Sequence, residues 1–112
     1  MSRPAPDALG EFEQLVLLAL LRLGDDAYGA TIRREIESRT GRDLAISAVY
    51  VTLNRLEAKG LVRLRVGEPS PTRGGRRRKH VSLEPAGRRA LRHAYHQFMV
   101  MADGLEEEFG SR

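Results

Sequence analysis

From Glu11 to Leu23 apolar residues recur at steps of three and four, with Phe12, Leu15, Val16, Ala19, Leu20 and Leu23 on one stripe of an α-helix. Leu17, Leu18 and Leu21 fill the other side. A helix apolar almost all round must be covered on more than one face, so this one is expected to touch both its own domain and a partner subunit. Gly24-Asp25-Asp26 stops it, with glycine at the C-terminal cap and an aspartate placed to cap the next helix. That second helix is expected from about Ala27 to Arg39, with Tyr28, Ile32 and Ile36 on one stripe and Arg33, Arg34, Glu35 and Glu37 on the other. A third runs from Ser47, a good N-cap, to Lys59, and Gly60 ends it. Val49, Tyr50, Leu53 and Leu56 form its buried side, which leaves Ala48, Val51, Thr52, Asn54 and Arg55 outward. Those outward residues are mostly short and would let another surface come close.

From Leu61 the period changes to two. Leu64 and Val66 alternate with Arg63 and Arg65, and later Val81 and Leu83 alternate with His80 and Ser82, which predicts two strands. The connection between them, Gly67 to Arg78, carries Pro69, Pro71, Gly74 and Gly75 and is too long and too rich in breakers for a tight hairpin turn. Pro85 suits the first position of a last helix running toward Phe109. Along it Leu91, Tyr95, Phe98, Ala102, Leu105 and Phe109 alternate steps of four and three, the seam of a helix that packs along another helix. Gly104 is its weak point, costing about 1 kcal/mol relative to alanine. The expected fold is mainly α with a small β-hairpin wing: a tail over 1–10, a winged helix-turn-helix over 11–84 and a dimerisation helix over 85–112.

Composition narrows the class. At 112 residues the chain holds one core, and an apolar share of 41% with a charged share of 30% excludes both disorder and a membrane protein. The absence of cysteine excludes a disulfide framework and fits a cytoplasmic protein. Residues 1–10 lack the apolar run of a secretory signal, and the longest apolar run, Leu15 to Leu21, is far too short for a membrane span. The net charge of +4 is unevenly placed. Residues 1–60 hold eight Lys/Arg against nine Asp/Glu, residues 61–92 hold ten against two, and residues 103–108 hold four acids and no base. A basic patch confined to one segment of a balanced domain is the footprint of a polyanion partner, most commonly a nucleic acid.

At this point particular residues add to the pattern. Leu9-Gly10, the run Glu13 to Leu21, Tyr28-Gly29 with Ile32, the run Ala48 to Val62, Gly74 to Arg78 and Pro85 to Arg89 resemble, in order and spacing, the PadR family of transcriptional regulators. Ala30 stands where members carry a bulkier residue, and Glu84 where they carry threonine; a carboxylate there can still cap the last helix. The resemblance implies the short subfamily, with one C-terminal dimerisation helix. It also implies a DNA-binding repressor, and it suggests a small-molecule effector seated at the dimer interface.

The residues can be assigned to such a role one by one. A helix fits the roughly 12 Å major groove. Ser47, Ala48, Val51 and Asn54 would then face bases, with Tyr50 and Arg55 nearer phosphates, although Ser47 serves equally as a helix cap and Tyr50 as a core residue. Arg73, Arg76, Arg77, Arg78 and Lys79, on or beside the wing, would neutralise phosphates of double-stranded DNA. Phe12, Leu15, Leu91, Tyr95, Phe98, Ala102, Leu105 and Phe109 would form the homodimer interface. His93 and His96 are too few for a metal site, Gly74-Gly75 matches no phosphate loop, and no catalytic constellation or cofactor signature is present. Two rival readings remain, a winged-helix adaptor that binds protein and a protein that coats nucleic acid without sequence preference.

Overall fold

The computed structural model describes residues 8–67 and 79–110. Helices α1 (Glu11–Leu23), α2 (Gly29–Thr40) and α3 (Ile46–Ala58) precede a hairpin of β1 (Val62–Val66) and β2 (Lys79–Leu83). Helix α4 (Pro85–Ala102) and the short α5 (Glu106–Phe109) follow. The strands are antiparallel, with Val62 opposite Leu83 and Val66 opposite Lys79. This is the mainly helical, winged architecture expected. Val16, Leu17 and Leu20 of α1, Ile32 and Ile36 of α2, Val49, Leu53 and Leu56 of α3, and Val81 of β2 make one buried core.

Helix α1 has the predicted bounds, but α2 begins two residues later than expected. Gly24–Asp26 forms a 3-10 turn, and Ala27 and Tyr28 are extended, because the Ala27 carbonyl accepts the Val81 N–H at 2.9 Å and Tyr28 bridges to His80. The aspartate cap therefore does not occur. Instead Thr31 Oγ1 accepts the Tyr28 N–H at 2.9 Å and donates to the Asp26 carbonyl at 2.6 Å. Ser47 is not the N-cap of α3 either. Ala45 holds that position and Ile46 is already helical, so the Ser47 hydroxyl is left on the surface. Thr52, expected outward, is buried, and Tyr50, expected in the core, is half-buried.

The last helix is shorter than its seam predicted. α4 stops at Ala102, and Gly104 takes φ +85°, a left-handed conformation that glycine adopts without steric cost. Leu105 and Phe109 therefore lie beyond a break and do not continue the same helical face. Leu91, at the other end of the seam, is 6% exposed and belongs to the subunit's own core, while Phe12 and Leu15 are half-buried against that core. Glu84 takes the N-cap position of α4 without a side-chain cap, and its carboxylate lies 3.9 Å from Arg63.

Candidate nucleic-acid interface

The outer face of α3 is set by its period. At about 100° per residue, Ser47, Ala48, Val51, Asn54 and Arg55 fall within a stripe about 120° wide. All five are exposed, Val51 to 56%, and the Ser47, Asn54 and Arg55 side chains make no hydrogen bond among the described residues. Hydroxyl and amide groups are thus presented beside small apolar ones, the chemistry that reads base edges and thymine methyls in a major groove. Tyr50 sits at the flank of this stripe. Its ring lies on Gly29, the first residue of α2, where an added Cβ would come within 2.5 Å of both Cζ and Oη. The Tyr-Gly element of α2 is therefore a packing device that lets the tyrosine of α3 bridge the two helices.

Carboxylates hold α3 in place. At the end of α2, Gly41 turns the chain with φ +76°, and Glu37 Oε2 accepts the Leu44 N–H at 2.9 Å. At the end of α3 the chain turns at Gly60, also with φ +76°, and Glu57 Oε2 accepts the Leu64 N–H of β1 at 3.1 Å. The same device therefore fixes the turn before α3 and the passage from α3 into the wing. The Leu44 N–H acts most strongly on Glu37 and lowers its carboxyl; burial pushes it up, but with the charge and bond of Arg33 the lowering prevails and holds it below the usual range. The Gly60 N–H meets the Glu57 carbonyl at 2.9 Å and the Leu61 N–H meets the Leu56 carbonyl at 3.0 Å, closing α3 with a Schellman motif.

A third carboxylate links α3 to α1. Glu13 is 4% exposed, and its oxygens lie 3.0 and 2.9 Å from Lys59 Nζ while Oε1 also accepts the Gly10 N–H at 2.8 Å. Burial pushes this carboxyl up, but the Gly10 bond, the Lys59 bond and charge, and the Arg55 charge together outweigh it and hold it below the usual range. On the other side of α1, Glu11 pairs with Arg42, whose guanidinium lies 6.0 Å from the centre of the Phe12 ring. None of these supporting groups was expected from the sequence. The only trace there is a glutamate three or four residues before a glycine, with a leucine seven residues after the glutamate, at Glu37 and at Glu57.

The wing is anchored at its base. His80 Nε2 lies 2.9 Å from the Asp25 carbonyl, and the rings of Tyr28 and His80 meet edge-on with centroids 5.4 Å apart. Lys79 is exposed at the start of β2, and Arg65 is exposed on β1. Arg73, Arg76, Arg77 and Arg78 lie outside the described residues. Of the expected dimer residues, Tyr95 and Phe98 are exposed, Phe98 to 67%, and Met99, Val100 and Met101 are exposed beside them. Among the described residues no group of three or more potential ligands could hold a metal, and no helix is long and apolar enough to cross a membrane.

A helix-turn-helix whose second helix presents an unoccupied polar stripe, followed by a basic wing, defines a winged-helix DNA-binding protein. The chain belongs to the transcriptional regulator PadR-like family, whose model matches residues 17–93. A PadR family transcription regulator from Clostridium difficile is similar in fold, with a TM-score of 0.75 and 24% identity over 90% of this chain and 100% of that one. One from Eggerthella lenta gives a TM-score of 0.66 at 25% identity over 91% and 88%. A structure of an hsRosR complex gives 0.66 at 23% over 86% and 78%. No protein of curated function matches the chain.

Proposed function

We propose that the protein is a homodimeric repressor that reads an inverted-repeat operator through α3, with residues 11–84 as the DNA-binding unit and residues 85–112 as the assembly segment. The exposed stripe of Ser47, Ala48, Val51, Asn54 and Arg55 carries this reading. An isologous dimer presents two copies of that stripe, and two recognition helices enter successive major grooves only if half-site centres are about 10 base pairs apart. Arg73, Arg76, Arg77, Arg78 and Lys79 act on the phosphates, and Tyr50 and Arg55 flank the groove. The interface comprises Tyr95, Phe98 and Ala102 with the outer side of α1, and Leu105 and Phe109 reach it from beyond the break. A small molecule that relieves binding belongs to the same reading, because Met99 and Met101 give that interface adaptable apolar walls. The protein acts in the cytoplasm, on chromosomal DNA.

Selection of bound fragments from the host genome tests the reading. A repressor enriches a few inverted repeats, a coating protein enriches none, and a protein adaptor retains no DNA. On the selected site Asn54→Ala should cost about 1–3 kcal/mol and much less on random DNA. Replacing Arg76, Arg77 and Arg78 by alanine should weaken both alike and flatten a salt dependence of about 10³ in affinity between roughly 50 and 200 mM. If Asn54→Ala and Val51→Ala fold normally and keep the parent's preference for the operator, α3 is not the reading element.

A further inference from the structure

A helix lying in a major groove has a phosphate strand along each wall. The two flanks of the α3 stripe are built differently. With Val51 at the centre of the helical wheel, Glu57 falls about 120° to one side, and Arg55 and Lys59 fall about 40° and 80° to the other. Glu57 accepts the Leu64 N–H at 3.1 Å, so its flank is the side of the wing and of the wing's cations. Lys59 meets Glu13 at 2.9 Å and the Ala8 carbonyl at 3.1 Å, so the other flank is bordered by the start of α1. The strand on that side lies away from the wing.

Arg42 stands on the same border. It lies in the turn between α2 and α3, four residues before α3 begins, and its guanidinium bonds the carboxylate of Glu11, two residues before Glu13. In a helix-turn-helix the N-terminal residues of the second helix enter the groove while the first helix crosses the backbone, which sets the turn joining them over a phosphate strand. The Glu11–Arg42 pair is open to water, with the Glu11 side chain 67% and the Arg42 side chain 38% exposed. A pair so exposed contributes little to stability and exchanges readily. The guanidinium is a planar fork of several N–H donors, and the Glu11 contact engages Nη2, so it can meet a phosphate oxygen with the rest. Glu11 and an arriving phosphate are therefore rivals for one cation.

We propose that Arg42 is a phosphate contact for the strand opposite the wing, and that Glu11 competes for it, so that DNA binding exchanges a carboxylate for a phosphate. The inference rests on α3 lying in the groove, and it adds a contact outside both the stripe and the wing. Phosphate contacts carry no sequence information, so a random-sequence duplex of about 30 base pairs serves as the probe. Fluorescence anisotropy on full-length proteins, from roughly 50 to 200 mM salt, gives the affinity and its salt slope. Arg42→Ala should weaken binding about fivefold or more at the lower salt and reduce the slope by about one per subunit. Arg92→Ala, the same loss of charge at an exposed position of α4, should leave the slope unchanged. Glu11→Gln should tighten binding about threefold or more, and most of that gain should vanish in an Arg42→Ala background. Far-UV circular dichroism checks folding, and Arg42→Gln supplies a milder change with the same expected direction. A parent that does not bind the duplex overturns the DNA-binding reading itself. A parent that binds, with Arg42 variants of the same affinity and slope or no weaker than Arg92→Ala, overturns the contact and leaves that reading standing. An equal gain from Glu11→Gln with and without Arg42 overturns the competition.

Discussion

Replacing Lys59 by methionine removes the one ammonium that meets Glu13, and with it the charged link between the start of α1 and the end of α3. Taking one partner from a fully buried pair costs about 3–5 kcal/mol, because the remaining charge is left without compensation. Here the side chain of Lys59 is 27% exposed, so water can partly replace it, and Glu13 keeps the Gly10 N–H. The expected loss is therefore about 2 kcal/mol. Glu13→Gln, which keeps an acceptor for Gly10 and leaves Lys59 access to water, should cost about 1 kcal/mol. The pH dependence separates this account from a simple packing defect. In the parent the Glu13 carboxyl lies below its ordinary value of 4.5, so its contribution is present above that value and is lost as the pH falls through the folded one. Without Lys59, burial is opposed less and the folded carboxyl moves up. The deficit of the variant against the parent should then shrink as the pH is lowered from about 7 to about 4. Urea unfolding followed by circular dichroism, at one fixed protomer concentration, measures the difference. A deficit under about 0.5 kcal/mol at neutral pH, the range of an inert surface change, would refute the link. A deficit that does not change with pH would show that the loss is not electrostatic.

Two further substitutions test the close approaches that position α3 and α4. Gly29→Ala places a methyl group 2.5 Å from the Tyr50 ring and should cost about 1–3 kcal/mol, whereas in a Tyr50→Ala background the same change should be close to neutral. Additive costs in that double-mutant cycle would mean that the ring does not lie on Gly29. Gly87→Ala places a methyl group 2.2 Å from the Leu61 carbonyl oxygen and 2.8 Å from Leu83 Cδ1. A backbone atom cannot rotate away, so α4 must move off the domain, at a cost of about 3 kcal/mol. Thermal unfolding should show a lower midpoint, and an unchanged one would contradict the contact.

Periodicity reports burial, and what was legible in the sequence follows from that. The stripes of α1 and α3 and the two-residue alternation of the hairpin were readable because each element hides one face in a single core. The misplacements have other causes. Ser47 looks like an N-cap, yet the position falls to Ala45, since the turn before α3 is set by the Glu37 bond to Leu44 and not by a local hydroxyl. The seam through Leu91 and Phe109 looked continuous because spacing counts residues and takes no account of the left-handed Gly104 within it. A bond from a glutamate to an N–H seven residues away, or from Lys59 to Glu13 across 46 positions, leaves no periodic trace.

Other contacts between residues distant in sequence gather at one peptide group. The Leu61 carbonyl, three residues beyond α3, accepts the Glu84 N–H at 3.0 Å and faces Gly87, while β1 begins at the next residue. The passage out of α3, the start of β1 and the first turn of α4 therefore meet at one peptide group. Interiors packed this closely do not deform continuously, so a rotation of α4 must carry α3 and the wing with it. In the proposed dimer the distance between the two copies of α3 is then set by the way α4 seats on the partner. On this argument a change at the subunit interface would alter operator binding without touching any residue that faces DNA.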